Sequence, residues 1–244
     1  MQTTVWGNSR RTAASIGAAF IVGTLSSASA SPLYEESHHL AAQASMSQSE
    51  ARSRCAPTLA MPDRACSVGE FDRVGATAGH EFFYARYDYR EVTPLDFSHP
   101  RVVIFEREPS AMFRPILISS DYPAITYGRP VILHAGGRVV LHIPANESGT
   151  AQLNHEIMYV WAQDGWRDVD VTSWLGDLDH RLSQGLGVQK GIYPDYAKMT
   201  ASTPLWRNNE APCPTGGRAS IELQWRGDRI ALREVRVEKH DWHC

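Results

Sequence analysis

The stretch VEKHDWHC places His240, His243 and Cys244 within five residues, a set that could offer three ligands to zinc. The same cysteine could instead close a disulfide, because Cys55, Cys66 and Cys213 also occur in the chain. No second close pair of Cys or His completes a finger-like spacing, and Cys213 lies in the Pro-flanked turn APCPTGG. A bridge that pins the tail is therefore the expected role, and a periodic metal-ligand pattern is not. Two further stretches, HEFFY at 80–84 and HEIMY at 155–159, approach the zinc-protease pattern but carry Tyr84 and Tyr159 where the second histidine belongs. That pattern also needs a helix; in a strand, residues four apart lie about 13 Å from one another. No metal and no cofactor is expected, and no nucleophile elbow, dinucleotide loop or Walker loop is present.

Acids offer a second chemistry. Asp164, Asp168, Asp170, Asp177, Asp179 and Asp195 are the candidates, and Asp168 with Asp170 would share one face of a strand. Such a like-charged pair can raise one pKa for acid–base work, so a hydrolase of an envelope polymer would use these acids, or His155 and Glu156. A solvated strand face produces the same pattern, and no catalytic residue is assigned. Arg226-Gly227-Asp228 spells an adhesive tripeptide, but a tight hairpin turn selects those residues anyway.

Binding is the third possibility. Residues 159–206 hold Tyr159, Trp161, Trp166, Trp174, Tyr193, Tyr196 and Trp206. Aromatic faces beside fixed polar groups are what a glycan or peptide groove needs. Trp161 and Trp174 fit a core equally well. The irregular stretch KGIYPDYAKM, broken by Gly191 and Pro194, is the better candidate for a surface loop, so Lys190, Tyr193, Tyr196, Trp206 and Arg207 form the candidate contact set.

The elements that must position these residues are mostly strands. EFFYARYDY alternates, RVVIFER is β-branched, and PILISS, PVILHA, GRVVLHI, HEIMYVWA and WRDVDV follow. Asp164-Gly165 and Gly227-Asp228 read as two-residue hairpin turns. VTSWLGDLDHRLSQG carries Trp174, Leu175, Leu178 and Leu182 at helical spacing, with Thr172 or Ser173 able to cap it and Gly185 able to end it. The expected fold is mainly β, an antiparallel sandwich or partial barrel with one packed α-helix, with a mixed α+β arrangement as the alternative.

The amino terminus sets the compartment. Arg10 and Arg11 precede a short apolar stretch, and Ala28-Ser29-Ala30 follows, the three parts of a secretory signal cleaved after Ala30. The stretch is too diluted by Gly, Ser and Thr for a transmembrane anchor, which needs about 20 strongly apolar residues. Whether the export route is Sec or twin-arginine stays open, since Thr12-Ala13-Ala14 follows the arginine pair. Removing residues 1–30 takes the formal charge from −3 to −5, which disfavours nucleic acid and anionic lipid as partners. A polar, Ser- and Ala-rich linker with a local cysteine ring is expected over 31–68, and the β domain over 69–244. In an oxidising compartment the spacing suggests Cys55–Cys66 and Cys213–Cys244 as the bridges, although four cysteines allow three pairings.

The order of WLGDLDHRL, KGIYPD, LWR and CPTGG over about residues 155–237 resembles the carboxy-terminal region of uncharacterised exported bacterial proteins. Where some of these carry a doubled cysteine, Pro212 here precedes the single Cys213. The resemblance implies a bacterial envelope setting and no chemistry. The expectation is an exported, periplasmic or secreted, non-catalytic binding or structural module. Its partners would be envelope glycan, peptidoglycan or another envelope protein; a periplasmic metal-binding protein is a further alternative.

Overall fold

Strand-length alternation and two-residue turns dominate the chain, and antiparallel pairing follows from them. A computed structural model describes residues 37–40, 43–91, 98–120, 122, 124–147, 153–163, 165–207 and 213–239, all within one compact unit, 34–244. The expected signal at 1–30, Asp164, His240, His243 and Cys244 lie outside the described residues.

In chain order the first strands are β1 (Ser37–His39), β2 (Arg64–Thr77), β3 (His80–Glu91), β4 (Ser98–Arg107) and β5 (Phe113–Ser119). They form a first sheet in the order β1-β5-β4-β3-β2. Next come β6 (Ile125–Tyr127), β7 (Val131–Ala135), β8 (Arg138–Ile143), β9 (Ala145–Glu147), β10 (Ile157–Ala162) and β11 (Gly165–Asp168). Of these, β11-β10-β8-β7 make a second sheet, and β6 pairs β9 in a short ribbon. The last group is β12 (Leu186–Gly187), β13 (Tyr193–Asp195), β14 (Thr200–Arg207), β15 (Gly217–Arg226) and β16 (Arg229–Glu238). Here β12-β14-β15-β16 form a third sheet, with β13 also on β14. Every strand pair is antiparallel, so the fold is mainly β. One clear helix, α2 (Ser173–Arg181), and the shorter α1 (Gln48–Ser53) accompany the sheets.

The second sheet is the central layer, and period-2 alternation shows why. Val140, Met158 and Val160 join a core with α2 and the third sheet, while their neighbours Leu141, Ile143, Ile157 and Tyr159 join a core with the first sheet. Successive side chains point to opposite faces, so both faces of β8 and β10 are buried.

The segment expected as a linker is, over its described part, a cover for the outer face of the first sheet. Met46, Ala51 and Ala56 are buried against Phe71, Tyr87, Tyr89, Phe105 and Phe113. Its polar composition hid this. Beside Met46 the buried side chains are two alanines, which let the cover lie close, while the rest of α1 faces water. Ser47 and Glu50 form a capping box that starts α1. The Tyr87 hydroxyl accepts from the Ala56 N–H at 2.9 Å, and the Tyr89 hydroxyl donates to the Leu59 carbonyl at 2.8 Å. The Cys55–Cys66 disulfide ties this cover to β2, which begins five residues earlier than expected. Cys213 is disulfide-bonded as well; Cys244, its expected partner, lies outside the described residues.

Opening the Cys55–Cys66 ring by the double replacement Cys55→Ser, Cys66→Ser should cost about 2.5–3 kcal/mol in urea unfolding, from loop entropy across 11 residues. Proteolysis should then cut first in the 43–61 cover, because only the Met46–Phe113 backbone pair, the Tyr87 and Tyr89 hydroxyls and a few buried apolar side chains hold it there.

Two local expectations shift. Ala162 pairs with Gly165, so Gly165 belongs to β11 rather than to the turn, and Gln163 adopts the positive φ of 52°. Neither Thr172 nor Ser173 caps α2 with its side chain. Asp170 Oδ1 accepts instead from the N–H groups of Thr172 (3.2 Å) and Ser173 (2.9 Å). Asp is as good a cap as Ser or Thr, and its reach of two to three residues makes an equivalent turn.

In the third sheet, Ala201, Leu205, Ala219, Ile221, Leu223, Ile230 and Leu232 face the core with Trp174 and Leu178 of α2. Gly216 and Gly217 let β15 start between its neighbours. A Cβ at Gly216 would sit 2.8 Å from the Leu205 carbonyl oxygen, and one at Gly217 (φ 95°) would collide with the Glu238 carbonyl. The opposite face of this sheet is polar and open.

Candidate binding site

That open face is built by register. Tyr193, Ser202, Ser220 and Arg236 stand in one cross-strand row, and Asp195, Thr200, Glu222 and Glu234 in the next. Ser202, Thr200 and Ser220 are short, whereas Tyr193 on one side and Glu222, Glu234 and Arg236 on the other are longer. A trough of about 360 Å³ results, to which Arg218 also contributes. Tyr193 is 66% exposed, the largest exposure among the exposed large apolar side chains.

The acids in the trough are paired with cations in it or beside it, while Arg218 is held by a hydroxyl. Arg236 grips Glu234 through Nε (2.7 Å) and Nη2 (2.8 Å) and lies 3.7 Å from Glu222. Lys198 donates to Asp195 at 2.7 Å, and Arg218 donates to the Ser202 hydroxyl at 2.9 Å. Hydrogen bonds from Lys198 hold the Asp195 carboxyl below its ordinary pKa, and those from Arg236 do the same for Glu234. The result is a polar bed of hydroxyls and balanced ion pairs flanked by one exposed aromatic ring. It can stack on an apolar ring face and exchange hydrogen bonds with hydroxyls.

Of the contact set expected from sequence, Tyr193 lines this trough and the others do not. Tyr196 and Trp206 are corrected to core residues, 3% and 2% exposed. Tyr196 packs edge-on against His142, with ring centroids 5.1 Å apart, and burial raises its hydroxyl pKa well above the ordinary value. Trp206 is buried although alternation along β14 places it on the side opposite Leu205 and Arg207. Lys190 lies 6.0 Å from the Trp206 ring centroid, and Arg207 borders a separate recess with Thr215 and Lys239. Trp174 is core, as its alternative reading had it, and so are Tyr159 and Trp166.

The acids do not assemble into a catalytic pair. Asp168 ends β11 and meets His39 Nε2 at 3.0 Å, while Asp170 has left the strand to cap α2. His155 lies 3.9 Å from Glu147, and the buried Glu156 accepts from Asn154 at 2.8 Å, so these neighbours have different partners. Asp177 and Asp179 are exposed on α2. The hairpin turn at Gly227-Asp228 is engaged, its Gly227 carbonyl accepting from Arg138 at 2.9 Å. Among the described residues, no group of three His, Cys, Asp or Glu side chains could hold a metal ion. Also among them, no helix is long and apolar enough to cross a membrane.

Sequence reading missed Ser202, Arg218, Ser220, Glu222, Glu234 and Arg236. For all but Ser202, which is on β14, the signal was present in RASIELQ and REVRV, where polar side chains alternate with apolar ones on the last hairpin. What was absent was any reason to prefer that polar face over the others. No family model, no curated protein and no solved structure matches this chain.

Proposed function

We propose that this chain is an exported bacterial envelope module that binds a neutral glycan, without catalysis, on the outer face of its third sheet. The secretory pattern at 1–30, the Cys55–Cys66 bridge and the disulfide-bonded Cys213 support export to an oxidising compartment, periplasmic or secreted. The observation that carries the binding reading is the trough itself: Tyr193 exposed at its rim, hydroxyls along its bed and carboxylates already held in ion pairs. An uncharged polyhydroxy chain fits such a surface, because it neither breaks the existing ion pairs nor needs a free counter-charge.

The test is retention of the mature chain on peptidoglycan sacculi and on soluble neutral polysaccharides, with affinities from calorimetry. Tyr193→Ala should weaken binding about tenfold or more, as loss of a central aromatic contact does, with the melting temperature unchanged. No retention on any of these polymers, or equal retention by Tyr193→Ala, refutes the assignment.

A further inference from the structure

The Tyr193 trough is bounded on one side by β16, which is the last strand of its sheet. Only the start of β16 is covered from outside. Asp170 bridges to Arg229, and its carbonyl accepts from the Ile230 N–H at 2.9 Å. From Arg233 to Glu238, no strand among the described residues pairs with the outer edge. Unpaired backbone N–H and C=O groups therefore line this stretch and offer a template for a further strand. Its side chains stand clear as well. Arg233, Glu234, Arg236 and Glu238 are exposed, Val237 is 45% exposed, and Val235 is half-buried.

Charged side chains on an edge usually keep other strands away. Here their order suits one partner, a second copy of the same strand. Across an antiparallel two-fold axis, opposed residues share a face of the sheet, so the axis must pass through a residue. With the axis at Val235, Glu234 stands opposite Arg236 of the second copy, and Arg236 opposite its Glu234. The valines meet at the axis. Moving the axis one residue either way sets Glu234 or Arg236 against itself, which repels. An axis at Val237 also alternates charge, matching Arg236 with Glu238, but leaves Glu234 outside the match. Within each chain Arg236 already holds Glu234 at 2.7 Å. Pairing keeps that contact and closes the charges into an alternating ring, so no surplus charge is needed. The helices do not interfere, because α2 packs with Ile230 and Leu232 near the start of β16. In the antiparallel pair, the α2 helices of the copies lie at opposite ends of the shared edge. We infer that β16 pairs with β16 of a second copy of this chain, antiparallel about Val235, joining the third sheets of both into one. Under the glycan reading, both Tyr193 troughs then open on the same face of the joined sheet.

Sedimentation equilibrium of the full chain over the micromolar range, with its disulfides intact, tests this. A single strand pair is a small interface, so a reversible dimer is expected there, with amide exchange over 233–237 slowed at high concentration. Glu234→Arg alone and Arg236→Glu alone should each weaken association about tenfold or more, because both cross-strand charge pairs become like-charged. An equimolar mixture of these variants should dimerise at least as tightly as the wild type, since each strand then meets opposite charges. The double variant Glu234→Arg, Arg236→Glu should also recover the dimer. Mixing does not repair a misfolded variant, so complementation reads the pairing itself. Tyr193→Ala should leave the dimer intact, which separates this result from the glycan assignment. A monomer at every concentration, single variants that associate like the wild type, or a mixture no tighter than its components overturns the inference.

Discussion

Trp206→Ala should lower folding stability by about 3–5 kcal/mol, while Tyr193→Ala should change it by about 0.5 kcal/mol or less. Both residues belong to one aromatic-rich window, and sequence alone gives no ground for separating them. Trp206 is 2% exposed, so truncation removes a large buried apolar area and leaves a cavity. Tyr193 is 66% exposed and has almost nothing to lose on truncation. Urea unfolding of the two variants measures the contrast directly. For a domain of about 200 residues the Trp206 effect corresponds to a melting temperature lower by roughly 6–20 °C. A Trp206→Ala loss below about 1 kcal/mol would mean that its ring is not enclosed by the core, and would return it to the contact surface.

The contrast shows where sequence reading reached its limit. Strands and turns were legible because their signals are local: alternation in EFFYARYDY, two glycines between PVILHA and RVVLHI, Gly227-Asp228 in the last hairpin. The layering of three sheets was not, because it depends on which apolar row meets which. Tyr159 and Val160 are adjacent and apolar, yet they face different cores. The cover over 43–61 escaped notice for a related reason. Alanines in a serine-rich stretch look like linker, and only the broad Phe and Tyr surface beneath makes Ala51 and Ala56 useful. At the trough, sequence found Tyr193 by its place near Gly191 and Pro194. It could not find Arg236, which reaches the same trough across three strand pairings.

Those pairings also bring His142 into a setting that makes stability depend on pH. On β8 it shares the face of Val140, which looks toward the third sheet, its ring meets the Tyr196 ring edge-on, and burial pushes its pKa from 6.5 down to about 4. The folded chain therefore keeps His142 neutral in a range where the unfolded chain protonates it. Below pH 6.5 the unfolded state binds the extra proton, so stability is complete above that value and falls as pH drops toward 4. The loss from this one group should approach about 3 kcal/mol by pH 4, with about 1.4 kcal/mol already gone at pH 5.5. Exposed acids with lowered pKa values, such as Asp195 and Glu234, act only at the acidic end and are screened by water. Urea unfolding of the wild type and of His142→Gln at pH 7.5, 5.5 and 4.0 isolates the histidine. The slope between pH 7.5 and 5.5, which does not depend on the variant's starting stability, is the diagnostic quantity, and it should flatten. A slope that persists in His142→Gln would place the proton on another group and mean that water reaches this imidazole in the folded chain. In that case Tyr196 and the strand end bearing Tyr193 would not be anchored by a dry contact on β8, because the same burial that depresses the imidazole is what holds Tyr196 in place.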